Sequence, residues 1–274
     1  VIGEQRVGPP PDPATGPRLD ADPAVVLDML EAGLLRAATP DVREPTGWHV
    51  DPRVRLAILS TFAAGVTADW SVGPLGFRDR AVLAPRSMTG GPWRIVPGGT
   101  AIRAGAHLEP GVVVMPPSYI NVGAWVGADS MIDSHVLVGS CAQVGARVHL
   151  AAGVLLGGVL EPPGARPVIV EDDAFIGAGS TLLDGVLVRR GAVLGAGVTL
   201  TGTSRLYDLV DDRILEGTVG APLEVPELAV VIPGTRPIEN GFALAHGLAA
   251  ATSIIVKRRD ARTDARVALE AALR

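Results

Sequence analysis

The chain has 274 residues, 47% of them hydrophobic, enough for one large domain or for a core domain with appendages. Aromatic residues make up only 4% while glycine numbers 34 and proline 23, which excludes a core of packed rings and leaves small or branched aliphatics to fill the interior. The net charge of −5 argues against nucleic acid as a partner, because phosphate recognition needs a clustered basic face.

The chain starts polar and proline-rich, and no run of about 18 apolar residues is free of glycine or charge, so neither a membrane span nor a secretion signal is expected. The single cysteine, Cys141, has no internal partner, which fits an expected location in the cytoplasm. Asp22-Pro23 leads into Val26, Leu27, Leu30, Leu34 and Leu35, spaced as one face of a helix. A second helix is expected from Asp51-Pro52, with Val54, Ile58, Leu59 and Phe62 on one face, the aspartate as cap and the proline in the first turn. Residues 1–92 therefore read as a small, mostly helical N-terminal domain.

From Val96 a strict six-residue period begins. Ile102, Leu108, Val114, Ile120, Val126, Ile132, Val138, Val144, Leu150 and Leu156 follow it, and after a two-residue shift it resumes at Val170, Ile176, Leu182, Val188, Leu194 and Leu200. Four residues after each aliphatic stands a small or modest one, such as Ala106, Val112, Ser118, Ala124, Ser130, Val148, Ala174 or Ser180. A helix needs a period of 3.6 and a strand a period of two, so the pattern fits neither. It fits a triangular solenoid in which three hexapeptides close a coil of about 18 residues and stacked coils bury an aliphatic column. Glycines directly after the aliphatic residue, including Gly127, Gly139, Gly145 and Gly177, are expected to provide backbone freedom at the corners. The fold expected is mainly β, a left-handed parallel β-helix over 93–205 with the helical domain before it and a small extension over 206–274.

The phase shift makes residues 158–167 a loop thrown off the solenoid, with Glu161 and Arg166 as candidate ligand contacts. Residues 253–257 read as a strand and residues around 265–273 as a helix. Lys257, Arg258 and Arg259 between them form a basic cluster.

Several long stretches carry a family resemblance: WRIVP at 93–97, PSYINVGAW at 117–125, VGSCAQVG at 138–145, GGVLEP at 157–162, VEDDAFIG at 170–177 and IVKRRDART at 255–263. In these the chain resembles the bacterial tetrahydrodipicolinate N-succinyltransferases of lysine and diaminopimelate synthesis. The resemblance implies a homotrimer with active sites between adjacent β-helices, a succinyl-CoA donor, and a small dicarboxylate amine as acceptor. It implies that Arg94 binds the acceptor and that Asp133, in Met131-Ile132-Asp133-Ser134-His135, contacts it and is a catalytic candidate. Aminolysis of a thioester needs a neutral amine and a stabilised oxyanion, so an aspartate to take up the ammonium and an arginine to clamp a carboxylate are the groups such a site requires. Tyr119, Asn121 and Ser140 are further candidates for polar substrate contacts. Lys257, Arg258 and Arg166 are candidates for the phosphates of coenzyme A. No metal is expected, and direct transfer from thioester to amine requires no covalent nucleophile.

The chain departs from the family twice. The family's Gly-Ala-Arg-Ser-Glu appears as Gly177-Ala178-Gly179-Ser180-Thr181, without the arginine and the glutamate, and its Asp-Thr-Trp appears as Asp133-Ser134-His135. His135, three residues after Ile132 and facing outward, is a candidate base in place of the glutamate. Cys141 reads as a packing thiol rather than a nucleophile. The departures keep a second reading open, a diverged member acylating another amino-acid-like amine from succinyl- or acetyl-CoA. A zinc hydratase would need three converging histidines, and His49, His107, His135, His149 and His246 lack the close spacing that places two on one coil edge. A purely structural scaffold would have no reason to carry the acyltransferase-like segments.

Overall fold

In the computed structural model, which describes residues 22–63, 65–160, 166–218, 220–260 and 262–263, each hexapeptide gives two strand residues and a turn. A two-residue strand cannot stand alone, so each is held by parallel partners one coil away. Met131 pairs with Val113 and His149, Leu137 with Tyr119 and Leu155, and Trp125 with His107 and Gln143. Three flat faces result. The first face starts at Arg94–Ile95, the second at Ala101–Ile102 and the third at His107–Leu108. The chain is a left-handed parallel β-helix of hexapeptide repeats.

The aliphatic residues of the period form one continuous column, Ile120, Ile132, Leu150, Ile176 and Leu194 among them, all fully buried. The smaller residues lie inside as well, and three of them are serines. Ser130 Oγ donates to the Gly145 carbonyl at 2.8 Å and accepts from Val148 N–H at 3.0 Å, so its hydroxyl is satisfied in both roles. Ser118 does the same between the Asp133 carbonyl and Val136 N–H. Buried hydroxyls bonded in this way cost little and link one coil to the next.

The corners correct one expectation. The glycine directly after the aliphatic residue does not supply the left-handed turn. It is needed because the next coil passes too close: a Cβ on Gly127 would lie 2.5 Å from the Gly145 carbonyl carbon, and one on Gly145 2.5 Å from Asp172 N. The left-handed residue comes two positions later. It is Gly123, Gly179 or Gly197 in some corners, and Asp129 (φ 57°), His135 (φ 61°), Cys141 (φ 63°), Arg147 (φ 56°) or Asp173 (φ 62°) in others.

Before the solenoid, α1 (Pro23–Glu31) and α2 (Pro52–Ala63) start where expected, but α1 ends before Leu34 and Leu35, and Leu34 is exposed rather than on a buried helical face. Asp22 accepts from Ala24 N–H and Asp51 from Arg53 N–H, both at 2.9 Å. Two short antiparallel ribbons accompany the helices, Ala38–Pro40 with Trp48–Val50 and Thr67–Asp69 with Arg78–Arg80. The helices pack on Ala104, Val122 and Cys141, while Ala38 and Trp48 cover Ile169 and Leu187. This segment thus lies over the third face and the edge beside it.

The solenoid does not stop at 205. After an antiparallel hairpin (Arg205–Asp208 with Arg213–Glu216), Glu224–Val225 returns to pair with Leu187–Val188, and Val230–Val231 with Val193–Leu194. Leu223, Val225, Ala229 and Val231 extend the column, and the six-residue period is lost only because the hairpin interrupts it. Ala249–Arg258 is the expected strand, lengthened, and pairs antiparallel with Ala229–Pro237 around α3 (Gly241–Ala245). The helix expected around 265–273 lies outside the described residues.

Substituting Gly127→Ala should cost about 2–3 kcal/mol, because the added methyl meets backbone and forces overpacking. Gly179→Ala faces open space, with nothing within 4 Å, and should cost roughly 1–2 kcal/mol, for the left-handed φ alone. Urea unfolding of both variants checks the order, and the reverse order would mean that coil contact is not what the first glycine serves.

Candidate functional site

Asp133 and His135 share the edge between the first and second faces. The Asp133 main chain is fixed by its neighbours above and below: its N–H donates to the Leu150 carbonyl at 2.9 Å, and its carbonyl accepts from Ser118 Oγ at 2.7 Å. One carboxylate oxygen, Oδ1, accepts from Ser134 N–H at 2.7 Å. The other, Oδ2, lies 3.9 Å from His149 Nε2. The carboxylate is thus half-buried and aimed by its own corner. His135 is exposed on the same edge, and its N–H donates to the Pro117 carbonyl at 2.6 Å.

Arg94 stands on the first face, pairing with Val113, which pairs with Met131. Coils stack at roughly 4.8 Å, so Arg94 and the Asp133 corner are separated by two coils, on the order of 10 Å. Tyr119 is 37% exposed on the second face. Asn121 and Ser140 lie at the far edge of that face. Asn121 Oδ1 accepts from Val122 N–H at 2.8 Å. Ser140 is only 3% exposed, with the Gly158 backbone so near that a Cβ there would lie 2.4 Å from its hydroxyl, so it faces protein and not an open surface.

The structure thus gathers Arg94, Asp133, His135 and Tyr119 around the first and second faces and leaves Asn121 and Ser140 apart. Glu161 lies outside the described residues. The basic candidates are already engaged. Lys257 pairs with Asp260 at 2.7 Å, and Arg258 with Asp208 at 3.0 Å and Asp211 at 2.6 Å. Arg166 approaches Thr46 Oγ1 at 3.4 Å near Gly185, at the edge between the second and third faces, whereas Lys257 and Arg258 belong to the strand that widens the first face.

His149 is a residue that the repeat reading left among the wall positions. It stands one coil above Met131 on the first face, its ring nitrogens buried and its ring edge-on to Phe175 at 5.0 Å. One signal was legible in the sequence: the outward residues of this face run Val113, Met131, His149, Phe175 and Val193, a single imidazole in an apolar ladder.

The third face is partly covered by the N-terminal segment, which leaves a cavity of about 400 Å³ lined by Arg36, Trp48, Glu109, Trp125 and Asp172. The Arg36 guanidinium lies over Trp125 at 4.1 Å and Trp48 at 5.5 Å, and its Nε donates to Gln143 Oε1 at 2.6 Å. Burial lowers Arg36 to about 10, against the pull of Glu109 and Asp172, and it remains a cation at neutral pH. Trp48 Nε1 donates to Glu171 at 2.8 Å, and Arg189 reaches the Thr46 carbonyl at 2.8 Å. His107 stacks on Trp125 at 4.0 Å and donates through Nδ1 to the Glu31 carbonyl at 2.7 Å, its burial keeping it below the usual imidazole range.

Residues 167–202 match the family model described as the hexapeptide repeat of succinyl-transferase. A 2,3,4,5-tetrahydropyridine-2,6-dicarboxylate N-succinyltransferase of Idiomarina loihiensis is 43% identical over 91% of this chain and 87% of its own length. The chain belongs to this N-succinyltransferase family, and so to the acyltransferases. Relatives with the same name from Rhodopseudomonas palustris and Nitrobacter hamburgensis are each 40% identical over 90% of this chain and 87% of their own.

Against the N-succinyltransferase pattern, the two departures fall on one part of the solenoid. Gly179 turns the corner with open space around it, and Thr181 follows on the second face, between Leu155 and Thr199. Cys141 is buried under α2, and burial pushes its thiol up to about 12. A thiol held protonated behind a helix is a packing group. The folded protein should show no reaction with a disulfide reagent at pH 8, and one thiol per chain should appear on denaturation. Rapid reaction of the native protein would place Cys141 on an accessible surface.

Proposed function

We propose that this chain transfers the succinyl group of succinyl-CoA to the amine of tetrahydrodipicolinate or of a closely similar amino-dicarboxylate. The observation that carries the reading is the placement of Arg94 and Asp133 on one side of a rigid solenoid, two coils apart, with the carboxylate aimed by Ser134 N–H. Arg94 clamps a carboxylate of the acceptor in two-point fashion. Tetrahydrodipicolinate carries a ring imine, so water first adds across its carbon–nitrogen double bond; Asp133 then receives a proton from the ammonium so formed, and the freed amine attacks the thioester carbonyl. The tetrahedral oxyanion collapses with cleavage of the carbon–sulfur bond, and the departing thiolate takes up a proton. His135, exposed at the same corner, is the second proton-handling group, where the family pattern has a glutamate at Thr181.

The reading includes a homotrimer with sites between subunits, supported by the coverage of the third face by the chain's own N-terminal segment while the first two faces remain for neighbours. Light scattering of the purified protein should give three chain masses. Lys257, paired to an exposed aspartate, is a candidate to exchange that partner for a phosphate of coenzyme A. The donor and the single buried cysteine are in keeping with a cytoplasmic setting, and no described helix is long and apolar enough to cross a membrane.

A diverged acceptor is favoured by one observation, the open space at Gly179 beside the short Thr181 side chain. The test is release of coenzyme A thiol from succinyl-CoA and from acetyl-CoA, with 2-aminopimelate standing in for the unstable acceptor. Release with succinyl-CoA that falls on the order of 100-fold or more in Asp133→Asn is the expected result. Coenzyme A binding without any release would reject this acceptor class and favour another amine.

A further inference from the structure

We propose that His149 is a positioning residue for Asp133, holding the second oxygen of its carboxylate while Ser134 N–H holds the first. The proposal rests on the reading of Asp133 as the group that takes the acceptor's proton. In sequence the two residues are unrelated, on different coils. In the solenoid, one coil above Asp133 is Ala151, two residues after His149, so the imidazole stands beside the carboxylate across the ladder. The 3.9 Å between Nε2 and Oδ2 is longer than a hydrogen bond. Catalytic hydrogen bonds are often long in the ligand-free state and tighten when the substrate is bound.

Three features make this more than a chance contact. The imidazole side chain is only 16% exposed, so little water competes for Nε2 beside the carboxylate. Phe175, edge-on at 88°, and Met131 on the coil below restrict the ring to few orientations. Ser134 N–H already fixes Oδ1, so an Nε2–H on Oδ2 would leave the carboxylate no freedom to rotate. A base held in one orientation keeps its remaining lone pairs on the acceptor's amine, and the benefit appears in the rate of the chemical step rather than in donor binding. Asp133 Oδ2 faces His149 Nε2, and Met131 and Phe175, its neighbours along the ladder, carry no charge.

The experiment uses the full-length protein and three variants. His149→Phe keeps a flat ring against Phe175 but removes the donor, and should lower kcat on the order of 10- to 100-fold with KM for succinyl-CoA within about twofold. His149→Gln puts an N–H near the position of Nε2 and should recover activity to within about threefold of the parent. Combined with Asp133→Asn, His149→Phe should add no further loss, because the two act as one unit. A readout free of catalysis accompanies these: the ring ¹⁵N shifts of His149, assigned by their loss in His149→Gln, should move in Asp133→Asn. Ring shifts unmoved by Asp133→Asn would overturn the proposal alone, as would His149→Phe at the parent's rate and melting temperature. Full activity of Asp133→Asn would instead remove the reading of Asp133, and this proposal with it.

Discussion

Everything in this molecule depends on the parallel ladder between coils. Each strand of the hexapeptide repeat is two residues long, so no face is stable by itself and each coil is held by its neighbours above and below. Coils stacked at roughly 4.8 Å leave no room for a Cβ where the chain leaves a strand and crosses its neighbour. Gly127, Gly139, Gly145 and Gly177 answer that constraint, each with backbone of the next coil within about 2.5 Å of where a Cβ would be. The aliphatic column then fills the triangle, and the buried serines tie carbonyl to amide where the interior is polar.

The same ladder turns sequence distance into spatial order. Residues eighteen apart become vertical neighbours, so an outward side chain belongs to a column. Arg94 and Met131 belong to one column, His149 and Phe175 continue it, and Asp133 stands at its edge. A catalytic group on such a wall is rigid without needing a large supporting shell. Its main chain is bonded on both sides, and only the side-chain torsions remain to be fixed. That is the physical role available to Ser134 N–H and to His149.

Most of the fold was legible because the period of six has one structural meaning, and both N-terminal helices were legible because an aspartate and a proline mark their starts. Three things were not. The ribbons at Ala38–Pro40 and Thr67–Asp69 are too short to show a period, and tertiary contact, not local propensity, makes them strands. The solenoid's continuation through Val225 and Val231 was hidden by the hairpin that breaks the register. The function of the corner glycines was misassigned because sequence shows that a glycine is required without showing whether φ or close approach requires it. At the site, Arg94 and Asp133 were singled out through resemblance, whereas the burial of Ser140 was not legible because burial at an edge depends on the inserted segment beginning near Gly158. His149 was missed because its meaning lies in the residue across the ladder, not in its own hexapeptide.

The N-terminal segment decides which surface is left for chemistry. A triangular column offers three similar faces, and nothing in the repeat itself distinguishes them. The N-terminal segment is anchored on the third face by Arg36 over two indoles, by Trp48 on Glu171 and by His107 on the Glu31 carbonyl. A cation between aromatic rings, bonded to a buried amide, resists separation, because opening that contact would expose the rings and break the charge-assisted bond together. With that face occupied and the adjoining edge packed under α2 against Cys141, the edge between the first two faces is the one where a carboxylate and an imidazole stand at the surface of the column. The hexapeptide register sets Asp133 and His135 on that edge, and the helical segment, docked elsewhere, leaves it uncovered.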